Sequence, residues 1–281
     1  MKIFLSGLES NTSFFDDCWL NQLDKMPFKL KWNLCSYFYA RGNSGKAKKT
    51  IIIRDNSELM LVDSGAHSFQ KGINCGRGID WKKYTEEYAA FIKNFDRPNV
   101  LGYFEMDIDA IAGYETVLEF RQILLNVSDK IIPVWHKNRG VAEFDKMCKE
   151  YSGKIIAVSG FRNEDISDDQ YLMFLKHAKK HNCRLHALGL ARPNILDKVP
   201  FDYTDSSSWG QATIFAYIFM ENGKHHPLNS EWVRDTRNRE NLSLMNYRYG
   251  MRMQRHYYEK WRLYDEDFGG IGWRQFTGNG N

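Results

Sequence analysis

Leu59-Met60-Leu61-Val62-Asp63-Ser64-Gly65 is a short apolar run that ends in an aspartate and then in two small, turn-forming residues. A run of this length suits a buried strand, and Ser-Gly marks its exit into a loop. The pattern recurs in Phe201-Asp202-Tyr203-Thr204-Asp205-Ser206-Ser207-Ser208. In an alternating α/β protein the strand end is where catalytic groups are usually mounted. Asp63 and Asp205, far apart in sequence, are therefore candidates to meet over one substrate, one as nucleophile and the other as general acid or base.

Working outward from these runs, strand-length apolar segments fall at residues 2–6, 59–63, 100–107, 130–135, 154–159, 184–188 and 201–205, with room for an eighth strand within 213–220. Amphipathic stretches at 81–95, 112–127, 141–151 and 168–181 lie between them. In the last, Tyr171, Leu172, Leu175 and Ala178 share a face at helical spacing, with Asp168 or Ser167 as the expected cap. Strand, helix, strand, helix at this pitch means parallel strands with crossover helices. Eight strands would close a TIM-like (β/α)8 barrel; fewer would leave an open sheet. The expected organisation is a single-domain barrel core over 1–223, a basic, aromatic helical segment over 224–267, and a flexible Gly- and Asn-rich tail over 268–281. The first unit is irregular, because residues 11–54 hold an aromatic-rich stretch (Trp32, Tyr37, Phe38, Tyr39) rather than a clean helix.

Composition narrows the class. At 281 residues with 43% hydrophobic residues the chain can bury a large core, and a charged fraction of 26% argues against disorder. The five cysteines are scattered without a CxxC pair, which fits a reducing compartment and gives no zinc signal. Met1-Lys2 leads into too short an apolar run for a signal peptide, and 214–220 is too short to span a bilayer. A soluble, cytoplasmic protein is the expectation.

Each candidate residue has a functional and a local reading. Asp63 beside Ser64-Gly65 is either an exposed carboxylate next to a backbone that a planar ligand can approach, or a cap on the next segment. Asp205 is either a carboxylate nucleophile that forms a glycosyl ester, or part of an Asp-Ser-Ser-Ser turn opening a helix. Asp202 lies three residues earlier, so on a strand only one of the two should face a shared site. Asp107 and Asp109 alternate at the end of the third strand, flanked by Glu105, and read as a ligand-facing pair or as a solvated strand end. His136 is a donor to a phosphate or base, or a hydrogen-bonded structural histidine; His67 and His186 carry the same two readings. Ser159-Gly160 offers backbone amides near a ligand.

Between 224 and 262 the basic residues Lys224, Arg234, Arg237, Arg239, Arg248, Arg252, Arg255, Lys260 and Arg262 outnumber Glu231, Asp235, Glu240 and Glu259. Aromatic rings are interleaved among them. Such a segment can neutralise phosphates and stack on bases, or it can be a solvated helix packing its rings on the barrel.

Taken together these segments resemble the tRNA-guanine transglycosylase superfamily. Val62-Asp63-Ser64-Gly65-Ala66-His67-Ser68-Phe69-Gln70 is similar to its DSGGFQ signature, with Ala66-His67 where a glycine is expected. Phe104–Asp109 is similar to the strand that ends in a base-recognising aspartate. Ile155-Ile156-Ala157-Val158-Ser159-Gly160 is similar to an LAVGE-type segment. His186-Ala187-Leu188-Gly189-Leu190-Ala191-Arg192-Pro193-Asn194-Ile195-Leu196 is similar to LMGVGxPxDL. Asp202-Tyr203-Thr204-Asp205 repeats the DxxD spacing that ends in the family's nucleophile.

The resemblance implies a (β/α)8 barrel and a double-displacement base exchange. Asp205 would be the nucleophile and Asp63 the acid/base. Asp107, or Asp109, would read the purine edge. Ser64, Gly65, Ser159, Gly160, His136 and Gly189 would line the base pocket, and Arg234, Arg237, Arg239, Arg248, Arg252 and Arg255 would bind the polymer. No cofactor and no metal is implied. The chain departs from the tRNA enzymes in lacking their zinc-binding CxCxxC cluster, since no cysteine follows Cys183. A compact, zinc-free relative is closer to the DNA 7-deazaguanine transglycosylases of phages and bacterial modification clusters. The expected activity is replacement of guanine in DNA by a 7-deazaguanine such as preQ0. The alternatives are the same exchange on tRNA, a non-catalytic nucleic-acid-binding barrel of a modification complex, or a hydrolase that removes a base without replacing it.

Overall fold

The computed structural model describes residues 1–10, 30–42, 44–69, 78–159, 166–220 and 224–262. The fold class is α/β, with the parallel strands and following helices of a TIM-like (β/α)8 protein. The chain divides into two compact units, Ser6–Val134 and Met1–Leu5 with Trp135 onward.

In the unit Ser6–Val134, strands β2 (Leu30–Ser36), β3 (Ser57–Asp63), β4 (Val100–Phe104) and β5 (Ile131–Ile132) are hydrogen-bonded in the order β5-β4-β3-β2, each pair parallel. The helix Trp81–Phe95 starts on Asp80, whose carboxylate accepts the Lys83 amide at 3.0 Å. It buries Trp81, Tyr84, Thr85, Tyr88, Ala89, Ile92 and Phe95 on one face, the apolar stripe that 3.6-residue periodicity requires. Two tyrosines of that face tie down the ends of β3 and β4: Tyr84 donates to the Ser64 carbonyl at 2.7 Å and Tyr88 to the Phe104 carbonyl at 3.2 Å.

In the other unit β1 (Lys2–Ser6) pairs with β9 (Tyr203–Ser206), β9 with β8 (Arg184–Leu188) and β8 with β7 (Ile155–Ser159), all parallel. The helix Gly140–Glu150 precedes β7, and Tyr171–Lys180 joins β7 to β8. The long helix Thr236–Trp261 buries Leu242, Asn246, Tyr247, Gly250, Met253, Gln254, Tyr257 and Trp261. Gln254 donates to the Ile3 carbonyl at 2.7 Å, and the Trp261 indole to that of Leu196 at 2.8 Å. Gly250 allows a close approach: an added Cβ would stand 3.0 Å from the Leu5 side chain, which would have to give way. The described part of the basic segment is thus mostly helical, as its sequence suggests, and its Tyr247, Tyr257 and Trp261 pack within this unit.

Several expectations shift. The eighth parallel strand is Leu30–Ser36, in the stretch that reads as irregular, and not within 213–220. That later region holds β10 (Tyr217–Phe219), which pairs antiparallel with β11 (His225–Pro227) in a separate two-stranded sheet. The strand expected at 130–135 breaks into Ile131–Ile132 and β6 (Val134–Trp135), because Pro133 between them has no N–H for a ladder. The strand expected over 100–107 stops at Phe104. The helix expected from 168 begins at Tyr171 after Gln170, and Asp168 instead pairs with Arg192 at 2.8 Å. The tail lies outside the described residues.

Candidate active site

Asp205 is the third residue of β9 and is 8% exposed. The turn after β8 reaches it: the Gly189 N–H donates to Asp205 Oδ1 at 2.8 Å. Gly189 has φ of +65°, a left-handed conformation that glycine adopts without strain. His186, in β8 and fully buried, places Nε2 3.0 Å from the same oxygen. Two partners on one oxygen fix the plane of the carboxylate. Thr204, between Tyr203 and Asp205, donates to the Ala187 carbonyl at 2.9 Å and also meets the Leu190 carbonyl, tying β9 to the same turn.

The Asp-Ser-Ser-Ser turn opens a helix, as the local reading has it, with Ser207 at the cap position. The helix Ser208–Ile214 is met at its start by Ser206, whose hydroxyl accepts the Ser208 N–H at 3.2 Å. Asp202 is engaged elsewhere, as strand alternation requires. Its Oδ1 meets Lys179 Nζ at 2.5 Å and its Oδ2 accepts the Leu185 amide at 2.8 Å, so it is a structural residue at the start of β8. Ser159 is the buried last residue of β7, in register with Leu188. Ser159, Gly189 and Asp205 therefore sit at or just beyond the C-terminal ends of three adjacent strands.

In the unit Ser6–Val134, Asp63 ends β3, and its Oδ2 accepts from the Gly65 amide at 2.9 Å and the Ser36 hydroxyl at 3.1 Å. The turn-capping reading is met by the first of these bonds, and both together hold the carboxylate still. Gly65 has φ of +78°, and a Cβ there would stand 2.5 Å from Phe38 Cβ. Ser64 is fully buried. Asp107 and Asp109 follow β4, with carboxylate oxygens within 4.8 Å of each other, and both are half-buried. Glu105, their neighbour in sequence, belongs to the core. It takes Arg121 at 2.5 and 3.1 Å and the Val134 amide at 2.7 Å.

Glu9 is a residue that sequence reasoning misses. It lies just after β1, fully buried, and its Oε1 accepts the Ser36 amide at 2.8 Å. Ser36 therefore serves both carboxylates, its amide on Glu9 and its hydroxyl on Asp63. Burial pushes Glu9 up to about 7, helped by the negative charge of Asp63 and opposed by its hydrogen bonds from Ser36 and Cys35. A carboxyl titrating near neutrality can both give and take a proton at working pH. The sequence signal is position alone: Ser6-Gly7-Leu8-Glu9 leaves a strand end through Gly7, whose φ is +86°.

His136 is half-exposed and begins the turn Lys137–Arg139, its carbonyl accepting the Arg139 amide at 3.0 Å. Gly160 and Gln70 lie outside the described residues, as does the side chain of His67. Arg234, Arg237, Arg239, Arg248, Arg252 and Arg255 are all exposed. Arg252 lies over the Tyr249 ring at 5.0 Å.

No protein-family model matches the chain, and no curated protein matches it. Any functional reading therefore rests on the residues and on the motif resemblance. Among the described residues no helix is long and apolar enough to cross a membrane.

Proposed function

We propose that the chain is a guanine transglycosylase acting on DNA, exchanging guanine for a 7-deazaguanine base through a covalent ester on Asp205. The observation that supports this most is the placement of Asp205. It lies at the C-terminal end of a parallel strand, held through one oxygen by Gly189 and His186.

In this reading a guanosine is extruded from the duplex, since C1′ is shielded within the stack; unpairing costs a few kcal/mol. An Asp205 oxygen attacks C1′, the C1′–N9 bond breaks, and the electron pair leaves with guanine, which gains a proton. The incoming base loses its N9 proton, N9 attacks C1′, and the ester bond to Asp205 breaks. Bonds made and broken balance, so the scheme calls on no oxidant and no nucleotide. Splitting one displacement into two retains configuration at C1′. The proton-handling role that the resemblance assigns to Asp63 is a separate claim: Asp63→Ala should greatly impair base exchange while leaving the fold intact, and near-normal turnover would remove that role. Exposed arginines along Thr236–Trp261 suit a phosphate backbone.

Nucleoside mass spectrometry of DNA and of tRNA after incubation with the protein and preQ0 tests the reading. Modified nucleoside in DNA is the expected result. Modification of tRNA alone would move the reading to tRNA, abasic sites without added base would indicate a hydrolase, and no change in either polymer would overturn the exchange.

A further inference from the structure

Asp145, His177 and His181 converge at the opposite ends of the strands from Ser159 and Gly189. Asp145 lies in the helix Gly140–Glu150, whose chain turns at Tyr151 to enter β7. His177 lies in the last turn of Tyr171–Lys180, and His181 is that helix's C-terminal cap, three residues before β8 begins. Residues four apart on a helix share a face, so both imidazoles point to the same place. His177 Nε2 is 2.9 Å and His181 Nε2 3.4 Å from Asp145 Oδ1, and the rings stand 5.1 Å apart.

We propose that Asp145, His177 and His181 form a binding site for a divalent transition-metal ion of the zinc type. Two imidazole nitrogens and one carboxylate oxygen are a donor set that suits zinc, cobalt or nickel, and not magnesium or calcium, which take oxygen ligands. At zinc–ligand bonds of about 2.0–2.1 Å, tetrahedral ligand atoms stand about 3.3 Å apart. The two nitrogen–oxygen separations fall on either side of that value, and all three ligand atoms lie within 4.8 Å of one another. Replacing the His177–Asp145 hydrogen bond by metal bonds releases protons at most and changes no oxidation state.

The surroundings favour this use. Lys149 Nζ meets Asp145 Oδ2 at 2.5 Å, which orients the carboxylate with Oδ1 towards the histidines. The Phe144 ring packs 5.7 Å from His177 and limits its rotation. The C-terminal carbonyls of Tyr171–Lys180 add negative potential, and the nearby Lys179 is taken up by Asp202. All three ligand side chains keep partial exposure, at 33%, 31% and 19% for Asp145, His177 and His181, so a water can complete the fourth position. The site would clamp two neighbouring crossover helices, and residues at this end of such strands serve stability more than chemistry.

The test is titration of the chelator-treated chain with zinc by calorimetry and with cobalt by visible absorption, alongside thermal unfolding. The expected result is saturable one-to-one binding, a cobalt spectrum of low coordination number, and a melting temperature that rises with zinc. His177→Ala should weaken zinc binding by at least about 100-fold, since even partners behind the ligands are worth about 10- to 100-fold. His177→Gln, which keeps a polar group facing Asp145, guards against loss of the fold and should lose the metal equally. Absence of saturable binding, or binding retained in both His177 variants, overturns the proposal.

Discussion

His186 Nε2 lies 3.0 Å from Oδ1 of Asp205, and the imidazole is fully buried. The histidine is packed like a core residue, with the Phe4 ring at 6.4 Å, yet its partner is the carboxylate proposed to attack the sugar. In the proposed exchange it would position Asp205. His186→Ala should lower kcat for base exchange by about 100-fold, the cost of a misplaced reacting group, with KM for DNA little changed. Equal loss in a variant whose DNA binding has also collapsed would indicate a merely structural role.

Gly65 sits at φ of +78°, and an added Cβ would stand 2.6 Å from the Phe38 amide nitrogen. Neither the left-handed backbone nor the clash with main chain can relax cheaply. Gly65→Ala should destabilise the fold by about 2 kcal/mol or more, seen as a lower urea midpoint. An unchanged midpoint would show that the β3 turn is not held as described.

Glu9 supplies a pH signature. Its ordinary carboxyl value of 4.5 rises to about 7 in the folded chain, chiefly through burial. The folded state then favours the protonated form. That advantage is full below about 4.5 and is lost as pH rises to about 7, where folded Glu9 ionises. The loss is on the order of 3 kcal/mol. Glu9→Gln should match the wild type in stability near pH 4.5 and exceed it near pH 8, measured by denaturant unfolding at both values. A gap that does not change with pH would refute the titration.

These residues are not equally legible. Leu59–Asp63 announces its strand because an apolar run stops at Asp-Ser-Gly, and the parity of Asp202 and Asp205 follows from strand geometry alone. Leu30–Ser36 does not read as a strand. All but Lys31 and Ser36 in it are buried, so no apolar–polar alternation remains, and Asn33 interrupts the apolar run. Asn33 is accommodated by a bond to Ser57 Oγ at 2.9 Å that only the fold reveals. Glu105 reads as a flanking ligand group because its partner, Arg121, arrives from the helix Tyr114–Leu125. Glu9 escapes because a lone glutamate past a strand has no motif; its meaning comes from Ser36, twenty-seven residues away.

The exposed arginines of Thr236–Trp261 predict a salt signature. Replacing Arg248, Arg252 and Arg255 together by alanine should weaken DNA binding about equally across sequences. For every phosphate that is no longer neutralised, the slope of log affinity against log salt should flatten by about 0.9. Unchanged affinity and slope would remove this helix face from the DNA interface.

The central claim is that Asp205 becomes esterified to the sugar, and labelled guanine tests it most directly. Wild-type protein, duplex DNA and labelled guanine should yield label in the DNA, and Asp205→Asn should lose that incorporation by at least about 1,000-fold while still binding DNA, as expected for loss of a covalent nucleophile. Incorporation that survives Asp205→Asn would contradict the account.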